Sequence, residues 1–296
     1  MFPPRSSYRV SLPTGELILG DRPLVVGILN VTPDSFADAE HLHAERAVAA
    51  ALAMQAAGAD IIDIGGESTR PGAEPVSEAE ELRRVMPVLR ALRGQLAVPV
   101  SIDTYKSGVA RAAVGEGASI VNDVSGLQYD AVMASTVADL GAALVLMHTR
   151  GRSADMYARA VYDDVVSEVT AELRAGVEAA ERAGIERARI IVDPGIGFAK
   201  RASHSYVLLA SLAQLSVSLE RPVLAGPSRK SFMREALADR PPAERDWGTA
   251  AAVTAAVLGG AHLIRVHAVP EMVQVTRVAE AIRQHGAFDK IGSTPL

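Results

Sequence analysis

The chain has 296 residues, 30 of them Lys or Arg and 35 Asp or Glu, for a net charge of −5. Hydrophobic residues at 49% and charged residues at 22% mark a folded globular protein, and the acidic balance argues against a general nucleic-acid face. The absence of cysteine excludes disulfides, thiolate metal sites and a cysteine nucleophile, and aromatics at 4% leave little for stacking single-stranded nucleic acid.

Residues 1–10 contain no apolar signal-peptide core, and no apolar run reaches the roughly 18 residues that cross a membrane. A cytoplasmic protein without membrane contact is expected. Residues 1–22 read as an N-terminal extension, a hairpin with Thr14-Gly15 at its turn. Short β-branched runs then recur at 24–30, 60–65, 98–103, 118–123, 142–148, 189–193, 222–226 and 262–267. Nearly continuous apolar runs of this length suit parallel strands buried on both faces. Between them lie alanine-rich segments with helical spacing at 45–57, 78–93, 107–116, 130–140, 162–183, 203–219, 246–258 and 270–285. Gly58, Gly117, Gly141, Gly184 and Gly260 each stand just before a strand, where a helix ends in a left-handed residue. Eight alternating units predict a single-domain (β/α)₈ TIM barrel, with an open doubly wound sheet as the alternative.

The polar residues share one end of this barrel. Strand after strand runs apolar and then ends in polar residues: Asn30, Asp103, Asn122-Asp123, His148, Asp193 and Arg265-Val266-His267, while the second carries Asp63 and leads into Gly65-Gly66-Glu67-Ser68-Thr69-Arg70-Pro71-Gly72 and the seventh opens into Gly226-Pro227-Ser228-Arg229-Lys230-Ser231. One such residue is readily a cap for the next helix. Eight together, charges included, form the polar rim where a barrel of this class keeps its site. Asp63, Asp103, Asn122 and Asp193 are acceptors suited to a flat heterocycle with several N–H donors. Arg70, Lys230, Arg265 and His267 are donors suited to an anion. Ser228 and Ser231 are placed where a helix N-terminus offers backbone N–H groups, and Arg229 reads as a surface ion pair. Two long loops, 31–43 and 65–77, read as lids, with Phe36 on the first as a substrate contact. His41 and His43 have no partners at metal-ligand spacing and read as surface residues. Zinc is not expected, whereas a hard cation bound through Asn30 and a substrate phosphate fits.

Several motifs then resemble dihydropteroate synthase: GILNVTPDSF at 27–36, DIGGESTRPGA at 63–73, SIDTYK at 101–106, DPGIGFAK at 193–200 and GPSRKSF at 226–232, with VND, LMH and RVH between and after them. The resemblance spans residues 20–285 or so in order. It implies a transferase of folate biosynthesis that joins 4-aminobenzoate to (7,8-dihydropterin-6-yl)methyl diphosphate, releasing pyrophosphate with help from Mg²⁺. It implies a pterin pocket of Asp63, Asp103, Asn122, Met147, Asp193 and Lys230, with Arg265 stacked over the ring. It implies a diphosphate site of Thr69, Arg70, Arg265 and His267, and Mg²⁺ at Asn30. It implies an aminobenzoate site of Phe36, Pro71, Phe198 and Ser228, open to sulfonamides, with Asp38 as proton acceptor, and a homodimer through the last two helices. The chain departs from the family pattern at Ala37–Glu40, where a glycine pair is usual, at Ala199 in place of glycine and at Ala268 in place of Asp. Weaker readings are a non-catalytic pterin-binding paralogue, a methyltetrahydrofolate methyltransferase on the same barrel and a phosphosugar isomerase.

Overall fold

A computed structural model describes residues 2–31, 40–70 and 72–286, with backbone alone at 40–43. Eight strands form one parallel sheet: β3 (Leu24–Asn30), β4 (Ile61–Gly65), β5 (Val100–Asp103), β6 (Ile120–Asp123), β7 (Ala143–Met147), β8 (Ile190–Asp193), β9 (Leu224–Ala225) and β10 (Leu263–Val266). Their order is β8-β7-β6-β5-β4-β3-β10-β9, and a parallel bridge between Val192 and Val223 closes the ring. The expected (β/α)₈ barrel is therefore the observed fold. The strand texture explains it: all five residues of β4 are buried, because one face meets the barrel interior and the other the surrounding helices.

The helices between the strands begin and end on local chemistry. α1 spans Glu40–Ala56, and α2 (Glu78–Leu92) is capped by Ser77, whose hydroxyl accepts from the Glu80 N–H. α3 (Ser107–Gly115) and α4 (Met133–Leu140) follow, and α5 (Val165–Arg182) is capped by Asp164. The five glycines singled out before strands all have positive φ, from 59° to 108°. The expected single helix at 203–219 is instead two, α6 (Ala202–Ala210) and α7 (Leu212–Leu219). Ser211 separates them; its hydroxyl donates back to the Val207 carbonyl, competing with the helical ladder. α8 (Asp246–Leu258) and α9 (Val269–His285) complete the ring. Ala268, noted above as a departure, precedes α9 without a side-chain cap.

The N-terminal hairpin is present as β1 (Tyr8–Leu12) and β2 (Gly15–Leu19). Its turn falls on Pro13-Thr14 rather than Thr14-Gly15, because Gly15 already pairs with Leu12. Val10, Leu12, Leu17 and Leu19 alternate onto one face and pack with Leu24, Val26, Ile61, Ile120 and Ile191 from the strand starts. The hairpin thus seals the end of the barrel opposite the polar rim. Further hydrogen bonds hold the leading segment down, from Arg5 to the Val257 carbonyl (3.2 Å) and between His262 Nε2 and the Ser6 carbonyl (2.9 Å).

Candidate active site

Closing the sheet brings the strand ends together around a cavity of about 620 Å³. Among the expected residues, Asn30, Thr69, Arg70, Asp103, Asn122, Met147, Asp193, Phe198, Ser228, Lys230, Arg265 and His267 line it. Phe36, Asp38, Pro71, Ala37 and Ala39 lie outside the described residues, and at Glu40, His41 and His43 only the backbone is described.

Arg265 organises the floor. Its Nε donates to Asp63 Oδ2 at 2.6 Å and its Nη2 to Asp103 Oδ2 at 2.6 Å. Asn122 Nδ2 also donates to Asp63 Oδ2, at 3.1 Å. Asp63 is 1% exposed and is not on the cavity wall. It sits one layer below the other acceptors and orients Arg265 and Asn122. Because Asn122 donates through its amide nitrogen, its side-chain oxygen is turned away from Asp63 as an acceptor. Burial pushes the Asp103 carboxyl up to about 7, with Arg265 opposing and Asp63 adding. Burial works against the Arg265 charge, but Asp63 and Asp103 hold its pKa above the ordinary value.

Asp193 is 4% exposed, and its Oδ1 accepts from the Gly195 N–H at 2.7 Å. Burial raises its pKa, opposed chiefly by Lys230. Burial pushes the Lys230 ammonium down to about 8, with Asp193 opposing. The Lys230 Nζ lies 4.5 Å from the centre of the Phe198 ring, a cation–π contact that joins an ammonium and an aromatic wall.

On the anion side, His267 and Ser228 form a unit. The His267 backbone N–H donates to Ser228 Oγ at 3.2 Å, and Oγ lies 2.9 Å from His267 Nδ1. The Ser228 Oγ–His267 Nδ1 hydrogen bond joins the two side chains on the cavity wall. Burial pushes His267 down to about 3, with Arg265 adding, so the ring is neutral near pH 7. The expected helix N-terminus at Ser228 and Ser231 is absent. After β9 the chain passes through Arg229 at φ +57° and a short 3₁₀ turn at Ser231–Met233, and α8 begins only at Asp246. Arg229 makes the expected ion pair, a two-pronged one with Asp246 at 2.7 Å for each prong.

Other strand-end residues do structural work. Asp123 accepts from the N–H groups of Ser125 and Leu127, the capping role open to any such residue. His148 faces away from the cavity, its Nε2 3.0 Å from Glu172.

The sequence reading missed several residues. Glu67, Met156, Tyr157 and Arg234 also line the cavity, together with Ser231, which the sequence had already placed with Ser228 in the strand-end turn. Tyr157 and Ser231 are joined through their hydroxyls at 2.8 Å, linking two loops 74 positions apart. Glu67 anchors the base of the Thr69-Arg70 loop. It pairs with Lys106, which also pairs with the buried Glu81, and it accepts from the Tyr105 hydroxyl. Glu67 and Lys106 fall inside quoted motifs, so their presence was visible and their pairing was not. Met156 and Tyr157 lie in a stretch with no distinctive pattern.

The chain is similar to known proteins over most of its length. The model of the family described as "Pterin binding enzyme" matches residues 26–267. A dihydropteroate synthase of Synechocystis is 44% identical over 274 residues, covering 92% of this chain and 94% of that protein. The solved structure of Xanthomonas albilineans dihydropteroate synthase with 4-aminobenzoic acid superposes with a TM-score of 0.86 at 46% identity, covering 94% of this chain and 99% of the other. Another structure of the Xanthomonas albilineans enzyme, in complex with 7,8-dihydropteroate, gives a TM-score of 0.80 at 44% identity, covering 89% and 94%.

Proposed function

Because the chain belongs to the pterin binding enzyme family and catalyses the dihydropteroate synthase reaction of folate biosynthesis, we propose how its own residues divide that reaction. Asp103, Asn122 and Asp193 accept the N–H donors of the pterin, and Lys230 donates to its acceptor edge. Arg265, held by Asp63 and Asp103, lays its guanidinium against the ring. Arg70, Thr69 and His267 take the diphosphate. The single observation that carries this division is that acceptors and anion-binding donors line one continuous cavity.

The reaction is dissociative on this reading. Arg70, Arg265 and His267 stabilise the charge on the departing diphosphate, and Asp103 and Asp193 stabilise the electron-poor pterin methylene left behind. The aminobenzoate amine then attacks that carbon and loses a proton, for which Asp38 is the acceptor on our reading. Phe198 walls the aminobenzoate site, with Phe36 and Pro71 from the two lids. Ser228, already bonded to His267, sits beside Ser231 at the carboxylate end, and mimics of 4-aminobenzoate such as sulfonamides compete there. No side-chain nucleophile is needed, and positioning supplies much of the rate.

Mg²⁺ fits this chain only as a partner of the diphosphate. Among the described residues no group of three or more His, Asp or Glu could hold a metal, and Asn30 offers a single amide oxygen from the end of β3. That donor set suits a hard cation that keeps substrate oxygens and waters as its other ligands. When bound, the ion would add charge neutralisation at the leaving group.

We also propose a cytoplasmic homodimer. Trp247 on α8 is 89% exposed, and Val278 and Ile282 on α9 are exposed as well, apolar surface on the two helices expected to meet a second copy. Among the described residues no helix is long and apolar enough to cross a membrane.

The deciding assay supplies dihydropterin diphosphate, 4-aminobenzoate and Mg²⁺ and measures pyrophosphate and dihydropteroate. Both products appear on this reading. Pterin binding without turnover would instead favour the non-catalytic paralogue. Light scattering on the wild type and on Val278→Asp checks the dimer, with a mass shift to monomer expected for the variant.

A further inference from the structure

Lys200 is one of the largest fully buried side chains in the molecule, at 1% exposure, and no step above uses it. It does not line the cavity. Among the described residues its Nζ makes no ion pair with a carboxylate. It donates to the Phe198 carbonyl at 3.0 Å and to His148 Nδ1 at 2.8 Å, with the His148 carbonyl at 3.5 Å. Because Nδ1 accepts, His148 carries its proton on Nε2 and donates it to Glu172 Oε2. Glu172 is bound in turn by Arg150. A buried ammonium is thus tied through an imidazole to an ion pair at the surface.

The segment it ties is the one that carries Asp193 and Phe198. Between them the backbone is left-handed at Gly195 (φ +68°) and Gly197 (φ +80°), and again at Ala199 (φ +48°), just before Lys200. Such a path needs external constraints to hold one shape. Lys200 supplies them by fixing the Phe198 carbonyl. Its charge also acts on Asp193, alongside Lys230 and Arg265, in favour of the ionised carboxylate. Asp193 in turn is the largest influence keeping Lys200 protonated against burial, which brings it down to about 7.

We propose that Lys200 is a positioning residue for pterin binding: from behind the cavity wall it fixes the 193–200 loop so that the Asp193 carboxylate and the Phe198 ring are preset for the ligand. This rests on the pterin-binding role given to Asp193 above.

The test compares wild type with Lys200→Met by steady-state kinetics and by calorimetric titration with dihydropterin diphosphate. The expected result is a KM for the pterin substrate raised at least tenfold, with kcat within about threefold of wild type and a matching loss of binding. A lower melting temperature with an unchanged pterin KM would overturn the proposal and leave Lys200 a purely structural residue. Should Lys200→Met fail to fold, Glu172→Ala removes the far anchor of the relay at a partly exposed position outside the cavity. There a pterin KM about threefold higher is expected, and an unchanged KM overturns the proposal. Wild-type protein that fails to bind the pterin substrate would instead sink the site assignment itself.

Discussion

Arg265 on β10 and Asp63 on β4 meet across the barrel mouth, Nε to Oδ2 at 2.6 Å, although 202 positions separate them. The contact is buried on the Asp63 side, so the aspartate has no access to water to replace a lost partner. Asp63 orients the guanidinium, and the guanidinium also reaches Asp103. In the proposed reaction, structure and chemistry therefore depend on the same fork.

Arg265→Met leaves two carboxylates buried near each other without their cation. Breaking such a pair from one side costs about 3–5 kcal/mol, and loss of a charge-stabilising donor costs about 100-fold or more in kcat. Urea melts and steady-state rates check both. Arg265→Lys should recover part of the stability and little of the activity, since a point charge cannot bridge two aspartates as a fork does.

The acid–base groups predict a bell-shaped profile for kcat/KM of the pterin substrate. In its proposed role Asp103 must be ionised to accept, and burial raises it to about 7, so activity is expected to climb as pH rises through 7. In its proposed role Lys230 must be protonated to donate, and burial lowers it to about 8, so activity is expected to fall as pH passes 8. Lys230→Ala should lose about 100-fold in activity with little change in melting temperature, because it removes a charge that burial already disfavours. A monotonic profile from pH 6 to 9 would contradict these roles.

His262 makes stability depend on acid. It is fully buried beneath the barrel, and its Nδ1 accepts from the Val223 N–H at 3.2 Å. Burial lowers its pKa from 6.5 to about 4. The folded pKa lies below the unfolded one, so its contribution is complete above pH 6.5 and is lost as pH falls towards 4. The loss reaches about 3 kcal/mol by pH 4. Denaturant melts across that window should show a shallower slope in His262→Gln than in wild type.

Two glycines separate backbone strain from steric exclusion. Both Gly117 and Gly195 have positive φ. At Gly117 an added Cβ meets nothing within 4 Å, so Gly117→Ala should cost about 1–2 kcal/mol for the left-handed backbone alone. At Gly195 the Cβ would lie 2.0 Å from the His148 carbonyl oxygen. Gly195→Ala should cost about 3 kcal/mol or more and displace the Asp193 loop. Equal melting temperatures for the two variants would contradict the close approach seen at Gly195.

Much of this molecule was legible in the chain itself. The eight apolar runs, the glycines that end helices and the polar residues at strand ends are local signals, and each sets its own backbone or solvation preference without help from afar. They specify the barrel, and they specify Asp103, Asn122, Asp193, Lys230, Arg265 and His267 as one end of it. What only the tertiary structure decided is which of these touch. Asp63 is withdrawn one layer behind Asp103 because the strand register pairs Asp63 with Ser101 and Gly65 with Asp103, and Arg265, from a strand at the far end of the chain, bridges the two carboxylates. Ser228 is bound to His267, not presented by a helix, because Arg229 takes a left-handed turn to reach Asp246. Lys200 closes the DPGIGFAK run in the sequence and proves to lie behind the wall, held by His148 and the Phe198 carbonyl. Pairings of this kind depend on distances between elements far apart in the chain, and residue types and their spacing carry no record of those distances.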